Sequence, residues 1–535
     1  MDSEYDFIVV GGGASGCVVA ARLAQSAVKP SVLLLEAGGL NEDAAHLTGA
    51  QRYEVAFREG SPLNWGYKTE PQWAGQQIDY SRGKGLGGST AINFCGWVIG
   101  PDDDYDEWAR IVADDAFGWR HVRRVLKRVE NFHNDVPEDF RDYINPKDEE
   151  HGIGGAVDVS YQEEWLPGTR DVFKAAEQVG FGVNPDVNNG NPMGMGMGMV
   201  CIHKGVRVTS SSAYLSSPPS NLTIIADAHV AKIILNGKTA QGVQIIDGRR
   251  FTAKKEVIIS GGAINSPQIL LCSGIGPSSE LEKLGIDVLH DLPAVGKNLR
   301  DHCFSLAGLV IKKTHDAPFK QIPSPMGWFQ VPAVLASAEF QDLPLETQNY
   351  LKKSHVPSWE LAAQTPFLDG TQVKDDEEVF TSCCLLMNPQ SRGTVTLKSA
   401  DPKEAPIIDP KFLTHPFDRR AAIESFRDML KYLQAPVWKE KTVRNLAWPH
   451  DDSDEAIWET FSSNLRSTWH MAGTIAMGRN ADDACVDNSF KVFGIDGLRV
   501  VDMSVCPMVP NNHTQTTAYV IGELAAEKIA FEHCL

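Results

Sequence analysis

A chain of 535 residues is long enough for several domains around a large core, and 42% hydrophobic with 22% charged residues is the balance of a soluble globular protein. The formal net charge of −19 argues against nucleic acid or an anionic membrane surface as a partner. No apolar run is long enough to span a bilayer, and ten scattered cysteines without a CxxC spacing read as reduced, mostly buried thiols.

Residues 5–10 read as a buried strand. Gly11-Gly12-Gly13-Ala14-Ser15-Gly16 follows at once, a small-residue run over 17–24 reads as a helix, and 31–35 is a second strand ending in Glu36. Strand, glycine turn, helix, strand and acid come in the order a dinucleotide fold requires. Gly11 permits the tight turn, Gly13 lets backbone N–H groups approach a pyrophosphate, and Gly16 lets the helix pack close to the sheet. The helix N-terminus adds partial positive charge for the phosphates. Glu36 can accept from both ribose hydroxyls and would repel a 2′-phosphate, which argues against NADP. The motif alone leaves FAD and NAD open. Only four residues precede this strand, so no secretory segment is expected there, and the reading is of a cytoplasmic protein.

A second glycine-rich run spans Arg82 to Asn93 (RGKGLGGSTAIN) and is expected to open a helix at Ser89 or Thr90, whose hydroxyls would cap it. Two phosphate-type loops within the first hundred residues suggest one long ligand lying between them. The acids Asp102, Asp103 and Asp104 suit a helix N-terminus better than a metal. Residues 119–132 have helical spacing with a basic face, read as a solvated surface helix. Residues 192–199 (PMGMGMGM) read as a close-packed loop whose thioethers could line a pocket.

Short strands are expected over 222–226, 230–235 and 242–246, then a buried strand over 256–260 running into Gly261-Gly262-Ala263 and a helix over 266–271. From 303 to about 465 the chain changes character. Longer irregular pieces interrupt the nucleotide-binding pattern, which makes this lobe the candidate for the substrate wall. The end is regular again, with Trp469-His470, a strand over 497–502 ending in an acid, and Asn511 to Thr517 leading into a helix over 518–530.

Together these motifs resemble the glucose–methanol–choline (GMC) family of FAD-dependent oxidoreductases over nearly the whole chain. The resemblance is carried by the Gly11–Glu36 unit, the 83–93 loop, and the run from Gly262-Ala263 through Ser266-Pro267 to Ser273-Gly274-Ile275-Gly276. The Trp469-His470…Gly473-Thr474 segment, the 498–502 strand and the 513–519 segment complete it. It is loosest over 134–200 and 303–375. The resemblance, rather than the first motif, selects FAD.

It implies an α/β chain: a Rossmann-like FAD-binding domain of glucose oxidase type over 1–155, 200–302 and 466–535, and an α+β substrate-binding domain over 156–199 and 303–465 built on an antiparallel sheet. By position, Gly11, Gly13 and Gly16 would hold the pyrophosphate, Glu36 the adenosine ribose, and the Val230 backbone the adenine. Gly87, Gly88, Ser89 and Asn93 would lie along the flavin side. Asp502 and Met503 would meet the ribityl chain, and Gln515 and Thr516 the isoalloxazine. Ile92 falls where some members tether the flavin through histidine, so non-covalent FAD is expected. Met471 and Met503 stand where the family often has proline and alanine. His513 falls where formate oxidase carries arginine and choline oxidase asparagine, and matches the His/His pair of aryl-alcohol oxidases.

Alcohol oxidation needs a base for the hydroxyl proton and an acceptor for the hydride. The resemblance implies His470 as the base, His513 orienting the same oxygen, hydride to flavin N5, and O2 as final acceptor giving H2O2. His302 is assigned a structural role, and His121, His229 and His290 are read as ordinary core or surface residues. The expected substrate is a primary, apolar or aromatic alcohol, with secondary metabolites among the candidates. That expectation draws on Met326, Trp328, Phe329, Trp359 and Phe367, which read at least as well as ordinary core of that lobe. A quinone acceptor and a redox-neutral lyase or cyclase reaction remain as alternatives. Neither a metal nor a membrane partner is expected.

Overall fold

The computed structural model describes residues 3–41, 55–162, 165, 168–313, 324–365 and 370–535. The expected 5–10 strand runs over Ser3–Val10, and Phe7, Ile8 and Val9 are fully buried within it. It lies between Val32–Leu35 and Arg250–Ile259, both parallel to it, and Leu222–Ile225 adds a further parallel strand beyond Val32–Leu35. Strands buried on both faces read as continuous apolar runs, which is why VLLL and EVII stand out in the sequence.

Arg250–Ile259 changes partner along its length. Its first residues pair antiparallel with Thr239–Ile245, and Val257 to Ile259 pair parallel with Leu498–Val500. The parallel strands therefore release Gly11, Glu36, Ser260 and Asp502 at one edge of the sheet, where open α/β folds bind ligands. Helix Ala14–Gln25 packs against the C-terminal helix Gln515–Glu532 so closely that a Cβ on Gly522 would come within 2.8 Å of Val18.

A second sheet is antiparallel, in the order Thr442–Leu446, Cys303–Lys312, Glu377–Leu386, Trp359–Ala363, Pro325–Phe329 and Gly194–Met197. Arg466–Ser467 pairs with the start of Cys303–Lys312. A smaller sheet joins Gly96–Trp97, Met199–Val200, Val157–Ser160 and Glu130–His133.

Four local expectations change. No helix opens at Ser89. Gly87 and Gly88 take positive φ, and Thr90 Oγ1 donates back to the Gly87 carbonyl, so the segment makes one 3-10 turn, Gly88–Ala91, with no side-chain cap. The basic helix stops at Val129, because Glu130 turns its carboxylate inward and begins a strand. The PMGMGMGM segment is strand rather than loop over Gly194–Met197; its glycines are required by contact, since a Cβ on Gly196 would meet Val187 at 2.5 Å. The last helix starts at Gln515, three residues earlier than expected.

Candidate active site

A cleft of about 340 Å³ runs from the first glycine turn to the antiparallel sheet. Gly11 has φ +103°, and a Cβ there would stand 2.3 Å from the Ser260 carbonyl oxygen; one on Gly16 would stand 1.9 Å from that of Gly11. Gly13 differs. Among the described residues nothing lies within 4 Å of where its Cβ would be, and no side chain caps this helix N-terminus. Its free N–H groups and open space suit a phosphate.

The two glycine loops are one assembly. Gly87 N–H donates to the Gly12 carbonyl at 2.7 Å, and a Cβ on Gly88 would meet Gly13 Cα at 2.7 Å. Glu36 pins both, accepting from the backbone N–H groups of Gly12, Gly38 and Gly85. Val230 lines the cleft beside His229, which meets Trp65 edge-on.

Further along, Ser89, Asn93, Asp502, Met503 and Gln515 line the cleft. Asn93 donates to Gln515 and accepts from Arg207, and Gln515 donates to the Gly96 carbonyl. The Asp502 carboxylate accepts from Gly262 N–H and from Ser266, and burial raises its pKa. Thr516 departs from the expectation: it is fully buried and its hydroxyl donates to the Val98 carbonyl, so Thr514 and Ala518 face the cleft instead. These glycines, acids and free N–H groups fit an FAD.

The far end holds the histidines. Cys303 and Ser467 pair across the antiparallel sheet, so Asp301-His302 and Thr468-Trp469-His470 leave it side by side. Asp301 fixes this junction. It accepts from Ser467 Oγ at 2.6 Å and from the His470 backbone N–H at 2.8 Å, and burial pushes its carboxyl up to about 6. The His470 and His513 ring centroids are 5.2 Å apart.

His470 Nδ1 lies 3.1 Å from His302 Nδ1, which leaves Nε2 for the cleft. Burial, then the imidazoles of His513 and His302 and the Arg82 cation, hold the His470 pKa well below its ordinary value. Burial likewise pushes His302 down to about 3. Both rings are thus neutral near neutrality, and His470 is free to accept a proton.

His513 Nε2 is 2.9 Å from Glu360 Oε1, and the Glu360 side chain is completely buried. A Cβ on Gly96 would stand 2.6 Å from His513 Nδ1, so glycine there makes room for the ring. Sequence reasoning missed Glu360. It sits at an inward position of Trp359–Ala363, and an acid amid WELAA is the one signal that could have singled it out. His302, expected to be structural, touches the His470 ring.

The wall beyond the histidines is mostly apolar, formed by Phe304, Met326, Ala362, Cys383 and Leu385, with Ser324 and Thr365 adding two hydroxyls. Of the five residues expected there only Met326 lines the cleft. Phe329 and Trp359 face away from the cleft because alternate residues of a strand point to opposite sides; Trp328 shares a face with Met326 but is fully buried beside it in the apolar cluster, and Phe367 lies outside the described residues. Trp469 takes φ +61°, packs on Phe57 and Phe94, and donates from Nε1 to Asp79 at 2.9 Å.

Sequence models of the GMC oxidoreductase N- and C-terminal regions match residues 5–304 and 389–522. The chain is a GMC oxidoreductase. Its family comprises FAD-dependent enzymes acting on CH–OH groups. This GMC chain is 32% identical to the glucose dehydrogenase [FAD, quinone] of Drosophila melanogaster, over 98% of its own length and 86% of the fly protein. A variant of formate oxidase from Aspergillus oryzae RIB40, studied for its FAD modification, superposes with a TM-score of 0.88 at 27% identity, covering 100% and 99% of the two chains. A fungal aryl-alcohol oxidase matches in fold, with a TM-score of 0.87, 23% identity and full coverage of both. Among the described residues of this GMC oxidoreductase, no helix is long and apolar enough to cross a membrane.

Proposed function

We propose that this enzyme oxidises a primary, apolar or aromatic alcohol to the carbonyl, with His470 as base and oxygen as final acceptor. The observation that carries this reading is the facing pair His470 and His513, at the junction of the glycine-loop cleft and an apolar sheet wall. FAD, when bound, supplies the hydride acceptor. The base role requires His470 Nδ1–H to donate to His302 Nδ1, so that the Nε2 lone pair meets the substrate hydroxyl. His513, held through Nε2 by Glu360, orients that hydroxyl from the other side. Burial disfavours a charged His470, so the proton it takes from the hydroxyl is not retained and ends, with the hydride, in the hydrogen peroxide formed from oxygen.

Apolar walls leave a sugar's many hydroxyls unpaired, a cost of roughly 1–3 kcal/mol for each buried group, and so favour a substrate with few polar atoms. Ile92 offers no nucleophile for a flavin tether, which supports non-covalent FAD. All ten cysteines are free thiols, which suits a reducing compartment such as the cytoplasm. The division into lobes at 155/156, 199/200, 302/303 and 465/466 belongs to the same reading.

Anaerobic mixing with a panel of primary and aromatic alcohols tests it. The flavin should bleach, and admitted air should restore the colour and release peroxide. His470→Ala should abolish bleaching while keeping its FAD; bleaching at the wild-type rate in that variant would remove the catalytic assignment. A quinone acceptor is the second reading, favoured by the name of the fly relative. Reoxidation by a quinone but not by air would select it. Substrate conversion with a flavin that never bleaches would point to redox-neutral chemistry.

A further inference from the structure

His513 sits in neither helix nor strand. The segment 510–514 is irregular, and the helix after it begins at Gln515 with no side-chain cap at Thr514. Such a segment needs other anchors if one ring is to keep its place, because ordering a free backbone costs conformational entropy at every residue.

The anchors stand in the two residues before it. Asn511 and Asn512 are both completely buried. Asn512 Nδ2 donates to the Ile99 carbonyl at 2.9 Å and to Thr517 Oγ1 at 2.8 Å. Asn511 is gripped by a carboxylate. Its backbone N–H donates to Asp104 Oδ2 at 2.5 Å and its Nδ2 to Asp104 Oδ1 at 2.9 Å. Tyr350 OH donates to the same Oδ1 at 2.6 Å. Asn388 Oδ1 lies 3.0 Å from Asn511 Nδ2 and is itself fixed, its own Nδ2 donating to the Pro357 carbonyl.

Asp104 is 3% exposed. A buried carboxylate is costly unless several donors converge on it, and here three do. The acid and the two residues that supply these donors come from separate parts of the chain. Asp104 belongs to helix Asp102–Val112, Tyr350 to helix Leu345–Leu351, and Asn511 to the segment that carries His513. The acid that looked like helix-end charge in the sequence is turned inward, while Asp102 and Asp103 at the same end pair with His355 and Lys353 at the surface.

We propose that Asp104 is a positioning residue: through Asn511, and braced by Tyr350, it sets where His513 stands against Glu360. This rests on the functional reading above, because it matters for turnover only if His513 orients the substrate. The acid reaches no substrate itself. It acts by making an irregular segment as stiff as the elements on either side, and a misplacement of about 1 Å at a reacting group can cost roughly a hundredfold in rate.

The test uses Asp104→Asn, Asn511→Asp and the double variant, each as FAD-loaded full-length protein. Asp104→Asn faces a carboxamide NH2 towards other donors, and Asn511→Asp sets two carboxylates against each other. Each single variant should lower the limiting rate of anaerobic flavin reduction by about tenfold or more, with a smaller change in the apparent substrate constant. The double variant restores one acid and one amide at the node and should recover most of the loss. A purely structural role would lower thermal stability without that recovery.

A second readout needs no substrate. In a crystal structure of Asp104→Asn the His513 Nε2 to Glu360 Oε1 contact, 2.9 Å here, should lengthen or break. If a single variant fails to fold, Tyr350→Phe removes one donor and should give a smaller loss of the same kind. Single variants with unchanged rates and an unmoved His513, or a double variant no better than either, would overturn the proposal. If no alcohol bleaches the wild-type flavin, the functional reading fails, and the crystallographic readout still decides the node.

Discussion

Glu360 shows how much one side chain can govern. Its buried carboxylate bonds His513 through one oxygen, and the other oxygen has no hydrogen-bond partner among the described residues. Replacing it by glutamine keeps the shape but exchanges the carboxyl group that faces His513 Nε2 for an amide. Glu360→Gln should therefore retain FAD and slow flavin reduction by about tenfold or more, measured by stopped-flow bleaching. His470 makes a separate prediction through pH. Its pKa lies well below the ordinary 6.5, by burial first and then by the His513 and His302 rings and Arg82. The base must be unprotonated to act, so the acid limb of kcat/KM should fall below 6.5 rather than at it. In His513→Ala one of the disfavouring neighbours is gone, and the residual activity should show that limb at higher pH. A limb at 6.5 or above in the wild type, unmoved by the variant, would mean that another group is titrating.

At the scale of elements, the first glycine turn separates two kinds of glycine. Gly16 is required by packing, because any Cβ would enter the Gly11 carbonyl. At Gly13 a Cβ would project into open space, so on the proposed function it is the bound FAD that calls for glycine there. Gly13→Ala should thus keep the apoprotein's thermal midpoint and weaken FAD uptake, read by flavin fluorescence during titration. Gly16→Ala should lose the fold. The sequence announced this unit because every residue in it answers a local demand of a strand, a tight turn or a helix start. It misjudged the second glycine loop for a related reason: Ser89 and Thr90 carry the residue types of a helix cap, yet positive φ at Gly87 and Gly88 spends them on a single turn. Local signals reveal local structure. Glu360 and Asp104 belong to the other class, since their partners, His513 and Asn511, lie 153 and 407 residues away.

For the whole molecule the parallel sheet, the final helix and the histidine pair were legible, because parallel strands buried on both faces leave unbroken apolar runs and the histidines lie in recognisable segments. The antiparallel sheet of the second lobe was expected from the resemblance, but its register was not legible, since it depends on pairings such as Phe304 with Leu385, across some eighty residues of chain. One device spans the structure and can be tested through stability. His151 has a fully buried side chain, with Nε2 3.2 Å from Asp186 and Nδ1 3.7 Å from Glu130. Glu130 also accepts from Trp97 Nε1 at 2.7 Å, and Trp97 adjoins Gly96, which faces His513. Burial alone would lower the imidazole pKa, but the hydrogen bonds and charges of Asp186 and Glu130 outweigh it and raise the ring to about 9 from 6.5. A raised folded-state value means the stabilisation is complete below 6.5 and is lost as pH climbs through 9. Its full size is on the order of 3 kcal/mol. The buried acids Asp104 and Asp301, each near 6, complete their titration largely below that window and do not mask it. Thermal midpoints should therefore decline from pH 6.5 to 9, and His151→Gln should start lower and show a flatter profile across the same range. A wild-type profile that is level over this interval, or a variant that keeps the full slope, would show that the ring is not held as a cation between the two carboxylates.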